Sequence, residues 1–154
     1  MGLTFALYAF AYMLGGVLTG VIIDLPSMAR NKKLAMVCGW AALALGHLTL
    51  GPVSSLLPDQ AIPVSLASMV VVGLGSGALV VPVMPDMRVG LAEEDIPILS
   101  ASFATSFSLG AFMGPLVIPA VWHLVGFSTT CGIISLVAAA TGVGMLGLHN
   151  SSPK

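Results

Sequence analysis

The chain has 154 residues, of which 57% are hydrophobic and only 7% charged, and its mean hydropathy is +1.05. A soluble domain carries about 25% charged residues, so this composition excludes a water-soluble globule and indicates a chain surrounded by lipid. Five Lys and Arg against six Asp and Glu give a net charge of −1, too few basic groups to neutralise a row of phosphates, which excludes nucleic acid as a partner.

Apolar runs long enough to cross a bilayer occupy nearly the whole chain. Crossing about 30 Å of hydrocarbon takes roughly 20 residues, and the runs predict an all-α integral membrane fold with five transmembrane helices in one domain, residues 1–149, followed by a short tail, residues 150–154. The predicted helices are 2–23, 34–53, 64–84, 98–125 and 127–148. The fourth is longer than the bilayer is thick, so we expect it to tilt, or to bend at Pro115 and Pro119.

The basic residues indicate how these helices are oriented. With five spans, every Lys and Arg falls on one side of the membrane, in the two connections and the tail on that side: Arg30, Lys32, Lys33, Arg88 and Lys154. Because positive charge is retained in the cytoplasm, we expect a cytoplasmic carboxyl terminus and an amino terminus outside the cell or in a lumen.

Polar and small residues recur along one face of two predicted helices. In the first, Tyr8 and Tyr12 lie one turn apart, and in the fourth, Ser102 and Ser106 repeat that spacing. Such a stripe is compatible with the wall of a water-filled cavity that binds a solute. It is equally typical of helix packing, where hydroxyls bond across helices, and the spacing leaves both interpretations open.

Glycines at a spacing of four predict close helix packing at three places. The pairs are Gly16/Gly20, Gly73/Gly77 and Gly110/Gly114, and small residues at this spacing let two backbones approach. The VGLGSG around Gly73 and Gly77 has no strand before it, so it is not a nucleotide-binding loop.

The sequence carries no signature of an enzyme, a metal site or a cofactor. HExxH and serine-elbow motifs are absent, and the three histidines lack metal-ligand spacing. His47, inside the second span, is compatible with a proton relay and equally with a structural hydrogen bond. His123 lies beside Trp122 at a helix end, which is typical of an interfacial anchor.

A loop motif gives the first family resemblance. In GVIIDLPSMARNKK, Gly20 is followed four residues later by Asp24 and then by a basic segment that includes Arg30. This resembles the cytoplasmic loop motif of the major facilitator superfamily, although Leu25 and Pro26 stand where that family has a basic residue. The resemblance implies a charged latch between helices, formed by Gly20, Asp24 and Arg30.

A second motif narrows the resemblance. LGAFMGP, with Gly110, Gly114 and Pro115, is similar to the Gly-xxx-Gly-Pro helix of the superfamily's proton-coupled antiporters, and with the following VGF it most resembles the vesicular amine transporters. In order, the five spans resemble helices eight to twelve of twelve. Because Gly2 already lies inside the first span, we expect the chain to be a fragment whose amino-terminal helical half is missing.

The resemblance implies transport by alternating access, in which a small amine or organic cation is exchanged for protons across an intracellular vesicle membrane or the plasma membrane. Tyr8, Tyr12, Ser102 and Ser106 would line the cavity. Gly73, Gly77, Gly110, Gly114 and Pro115 would provide packing and hinge positions. Where monoamine carriers have an acidic residue, this chain has Val80 or Val81. The alternative is a truncated membrane protein that transports nothing and regulates a full-length carrier.

Overall fold

The structure, a computed structural model, describes residues 2–25 and 32–151, with side chains as far as Gly147. Five long helices account for most of these residues, and none of the described residues forms a strand. The helices are α1 (Gly2–Ile23), α2 (Lys32–Leu48), α3 (Ala61–Met87), α4 (Ile96–Val125) and α5 (Phe127–Ser151). All five spans are long and apolar enough to cross a membrane, which confirms the predicted fold class.

The second span continues beyond α2 and past residue 53, where the predicted helix ends. A π-helical turn, Thr49–Val53, and one α-helical turn, Ser54–Leu56, extend it. The Ser55 hydroxyl donates to the carbonyl of Pro52 at 2.7 Å. The Ser54 hydroxyl donates to the carbonyl of Leu50 at 2.5 Å, with the Gly51 carbonyl as a longer second partner at 3.1 Å. These hydroxyls add side-chain hydrogen bonds to backbone carbonyls of the π turn, where Pro52 provides no N–H for the helical ladder.

The third span is longer at both ends than the apolar run suggested. α3 begins at Ala61, before Pro63, because a proline in the first turn loses no helical hydrogen bond. It also continues through Pro82 and Pro85 to Met87. Proline is tolerated inside membrane helices where packing compensates for the lost bond, and Pro82 is fully buried.

α3 is the central helix, and its contacts with α1 show how the two helices are oriented relative to one another. The backbone of Gly73 lies against that of Tyr8, and Gly77 lies against Tyr12 and Gly16. Residue numbers rise together along the two helices, so α1 and α3 run parallel, as up-and-down connectivity requires of the first and third spans. The end of the bundle at which α1 begins is called the Gly2 end below, and the opposite end the Asp24 end.

α2 packs on another side of α3 and runs antiparallel to it. Gly39 lies against Gly75 and Leu79, whereas Gly46 lies against Ser68 and Val72. A Cβ atom at Gly46 would lie 2.5 Å from a methyl group of Val72 and 3.2 Å from its amide nitrogen, so the close approach favours glycine at this position. The small residues on both helices therefore set how closely α2 approaches α3.

The last two helices differ in how they join this core. α5 packs along α2, where the Ser135 hydroxyl donates to the carbonyl of Ala44 at 2.7 Å and Cys131 contacts Gly51. α4 contacts α5 over a short stretch beside Gly126, whose φ of +85° turns the chain between them. No residue of α4 is buried.

Candidate functional site

A groove runs along α3 between α1 and α2. Each of these helices packs along α3, yet they hardly touch one another. The surface of α3 between them is therefore accessible, and two cavities lie along it.

The first, called the His47 cavity, lies towards the Gly2 end and has a volume of about 530 Å³. It is formed by α1, α2 and α3 together with Leu50 of the π turn. Its lining residues are Thr4, Phe5, Tyr8, Leu43, His47, Leu50, Met69, Val72 and Ser76. A volume of this size suits a small organic molecule.

The second, called the Tyr12 cavity, follows towards the Asp24 end and has a volume of about 470 Å³. Its lining residues are Tyr8, Tyr12, Leu43, Ser76, Leu79, Val80 and Phe107. Phe107 is the one lining residue from α4, and more than half of its surface is exposed. In the described part of the chain, neither lining contains Asp, Glu, Lys or Arg.

Tyr8, Leu43 and Ser76 line both cavities and so mark the boundary between them. The Tyr8 hydroxyl donates to Ser76 Oγ at 3.5 Å, and Ser76 donates to the carbonyl of Val72 at 2.8 Å. Because Ser76 donates its only hydroxyl proton to a carbonyl of its own helix, its oxygen acts as the acceptor for the Tyr8 hydroxyl. This weak contact ties α1 to α3 across the groove.

Aromatic rings line the α1 side of the groove. Tyr8 stacks on Tyr12 with ring centroids 6.5 Å apart, and Phe5 lies 6.4 Å from Tyr8. Spacings of three and four residues place the three rings on one helical face. A solute in the groove would meet ring faces and two phenol hydroxyls on this side.

His47 is half-buried, and one nitrogen of its ring is already bonded. Nδ1 lies 2.8 Å from the carbonyl oxygen of Leu43. A carbonyl can only accept, so Nδ1 carries the proton and Nε2 is the unprotonated nitrogen of the neutral ring. The hydrogen bond that the sequence left as one alternative is thus present, and the ring also lines a cavity.

The structure brings only part of the expected cavity wall together. Tyr8 and Tyr12 line the groove, whereas Ser102 and Ser106 are exposed on α4 and line neither cavity. Ser76 is the groove hydroxyl that sequence reasoning missed, because a single serine among glycines gives no periodic signal. The role of all these residues in binding stays a prediction.

The packing and hinge glycines fall into two groups. A Cβ atom at Gly73 would lie 2.6 Å from the carbonyl oxygen of Tyr8, and one at Gly77 would lie 2.5 Å from the amide nitrogen of Gly16. At Gly110 and Gly114, by contrast, no described atom lies within 4 Å of such a position. Pro115 is exposed.

The latch residues are described only in part. Gly20 is half-buried, and its carbonyl accepts the Asp24 amide at 3.2 Å, where α1 ends. The Asp24 side chain is exposed. Arg30 lies outside the described residues, so the latch stays a prediction.

Three curated relatives resemble this chain along almost all of its length. The protein named MFS-type transporter SLC18B1 of Homo sapiens is 28% identical over 153 residues, which is 94% of this chain. The proteins of the same name from Rattus norvegicus and Mus musculus are 26% and 27% identical over 152 residues. The resemblance to the major facilitator superfamily is confirmed, and with five spanning helices it identifies a multi-pass membrane protein.

The chain spans about one third of the length of these relatives, 33% in each case. The relatives are named as transporters, a class whose members are generally not enzymes. No protein-family profile matches the chain. No solved structure matches it either.

Proposed function

We propose that this chain forms the carboxyl-terminal helical half of a secondary transporter that exchanges protons for a small amine or organic cation by alternating access. The observation that carries the proposal is the groove, where hydroxyls, aromatic rings and one imidazole face two cavities inside apolar helices. Polar groups inside spanning helices generally face a bundle interior or a water-filled pathway. The names of the relatives support the same class of activity.

α4 supports the two-bundle arrangement. It buries no residue within this chain, and Gly110 and Gly114 meet no described neighbour. In carriers built from two helical bundles the substrate site lies between the bundles. The amino-terminal half accordingly closes the groove over Tyr8 and Tyr12, packs against the glycines of α4, and completes the wall that includes Ser102 and Ser106.

The residues that line the Tyr12 cavity indicate which groups of this half would contact a cationic substrate. Val80 faces this cavity at the region where the monoamine carriers have an acidic residue. The charge partner of a cationic amine therefore comes from the other half. This half offers ring faces, those of Tyr8, Tyr12 and Phe107, which attract a cation through their quadrupoles.

The orientation and location of the carrier follow the charge pattern and the family resemblance. The loops with Asp24, Arg30 and Arg88, and the carboxyl-terminal tail, lie in the cytoplasm. Asp24 and Arg30 form the latch on that face. The membrane is that of an intracellular vesicle.

Transport by the native protein in proteoliposomes tests the proposal. The polypeptide is recovered with an antibody against the carboxyl-terminal tail and reconstituted with an acidic lumen. Uptake of radiolabelled acetylcholine, a monoamine and spermidine is then measured. For one-for-one exchange of a monovalent cation, each pH unit supports about tenfold accumulation. Accumulation that disappears when a protonophore abolishes the gradient is expected, and none with any of the three compounds would contradict the proposal.

The unburied surface of α4 also favours the alternative function, in which the chain transports nothing and binds a full-length carrier. The mass of the native polypeptide separates the two. A band far heavier than 15.6 kDa on an immunoblot of native tissue supports the transporter. A band at 15.6 kDa that co-purifies with a larger carrier supports the regulator.

A further inference from the structure

His47 is an ionisable group deep inside a spanning segment. It lies nine residues before Leu56, the last residue of the second span, and therefore about 13 Å from that end at 1.5 Å per residue. His123, in contrast, is exposed in the last turn of α4. Ionisable side chains at membrane depth are costly, and those present generally face a pathway for ions or substrate.

The hydrogen bond of His47 determines which nitrogen takes up a proton. Nδ1 donates to the carbonyl of Leu43 in the neutral ring, so a proton can add only at Nε2. Both nitrogens of the charged ring are donors, and the bond to Leu43 survives the change. Protonation therefore alters the charge of the cavity without breaking the contact that positions the ring.

The groups around the imidazole offer it no fixed charge. α1 presents Thr4 and Tyr8, and α3 presents Met69, Val72 and Ser76. The phenol of Tyr8 is the other ionisable group in this lining, and it donates its hydroxyl proton to Ser76 Oγ. From α5, the Cys131 thiol packs against Gly51 and does not line the cavity. In the described residues, no acid or base lining this cavity competes with His47 for a proton.

We propose that Nε2 of His47 is the proton-binding site of the groove. A proton moves from groove water to the Nε2 lone pair, and the neutral imidazole becomes imidazolium. The new positive charge lies in the cavity that a cationic substrate would enter, and like charges that share one cavity repel one another. Proton and cation then exclude one another, which is the requirement for exchange. This inference rests on the proposed function.

Chemical labelling tests proton binding without a substrate. Diethylpyrocarbonate acylates the lone pair of neutral imidazole, and the adducts on His47 and His123 are measured by mass spectrometry on the protein in native membranes. A proton bound at Nε2 occupies the lone pair that the reagent attacks, so labelling reports whether this nitrogen is protonated. We expect His47 to be labelled at pH 8 and, after correction for reagent hydrolysis, to be labelled less at pH 5. No labelling at pH 8, or equal labelling at both values, would overturn the proposal.

Transport by the variant His47→Asn tests coupling. The asparagine amide donates to the Leu43 carbonyl as Nδ1 does but takes up no proton, and His123→Asn is the matched control. The measured quantity is the ratio of acetylcholine accumulation driven by the pH gradient to acetylcholine exchange without a gradient. We expect the ratio to fall at least about tenfold in His47→Asn and to stay at the wild-type value in the control.

The outcomes separate the two proposals. An unchanged ratio in His47→Asn overturns the role of His47, as does an equal loss of both activities at normal membrane yield. If the wild-type protein accumulates none of the three compounds under a pH gradient, the proposed function fails. In that case the labelling experiment still decides whether His47 binds a proton.

Discussion

Two glycine pairs of the same spacing have opposite surroundings in this protein. Gly73 and Gly77 of α3 press against the backbone of α1, whereas Gly110 and Gly114 of α4 face space that no described atom occupies within 4 Å of a Cβ position. α3 buries six residues and α4 none. The spacing of the glycines predicts where two helices are able to come close. Whether a contact forms there depends on which helices are present.

The largest loss of stability is expected for a substitution at Gly77, where α3 contacts the backbone of α1. In Gly77→Leu the new side chain would overlap the backbone of Tyr12 and Gly16, and backbone has no alternative rotamer. Overpacking costs typically 1–3 kcal/mol and sometimes more, so we expect the free energy of unfolding to fall by at least about 3 kcal/mol. Loss of the monodisperse peak in fluorescence-detected size-exclusion chromatography, and a lower apparent melting temperature in detergent, measure this.

Gly110→Leu is the matched control for that variant. It makes the same change at a position with no described neighbour within 4 Å. The chain of 154 residues should keep its elution profile, and its melting temperature should not fall, because Leu is a better helix former than Gly. Equal destabilisation by the two variants would remove the distinction between the glycine pairs.

The next prediction concerns function, since the proposal places the partner of α4 in another helical half. Gly114→Leu in the full-length carrier should abolish transport, because the added bulk separates α4 from the helices that cover it. Membrane insertion should be unaffected. Gradient-driven uptake and membrane yield are measured together, and normal uptake at normal yield would argue against the hinge assignment.

The sequence predicts the spans well because lipid imposes a length on every helix. Residues 2–23 are both the first predicted run and α1. The second and third spans extend beyond their apolar runs. In the second, the hydroxyls of Ser54 and Ser55 bond to carbonyls of the π turn, and in the third, prolines are accommodated inside α3. Neither effect is visible in a hydropathy pattern.

The candidate site is predicted less completely, for a physical reason. The spacing of Tyr8 and Tyr12 places them on one face of one helix, and both line the groove. Ser76 and Phe107 reach the groove from α3 and α4, and their positions depend on how the helices are rotated about their axes. That rotation is determined by packing between helices, which spacing within one helix does not encode.

Two hydroxyl groups show the same contrast between a contact with another helix and none, with a smaller expected effect on stability. Ser135 of α5 donates to the Ala44 carbonyl on α2, whereas Thr105 of α4 donates to Ala101 of its own helix. A hydroxyl bond between membrane helices contributes about 0.6 kcal/mol on average. Ser135→Ala should therefore lower the free energy of unfolding by about 0.5–1.5 kcal/mol.

Thr105→Ala is the control for Ser135→Ala, and it should not lower the stability of the chain, because the lost bond lies within α4 and Ala is a better helix former than Thr. Both are measured as shifts in melting temperature in the same detergent. A larger shift for Thr105→Ala would show that α4 is held to the bundle by contacts other than those described.

The smallest effect is expected at the boundary between the two cavities. Tyr8→Phe removes a hydroxyl whose contact with Ser76 is long, 3.5 Å, and leaves the ring stacked on Tyr12. Ser76 keeps its bond to Val72, so no group loses its only partner. We expect the melting temperature to change by less than about 1 °C, since a few tenths of a kcal/mol are at stake. A drop as large as that of Ser135→Ala would mean that this bond, and not the glycine contacts alone, holds α1 against α3.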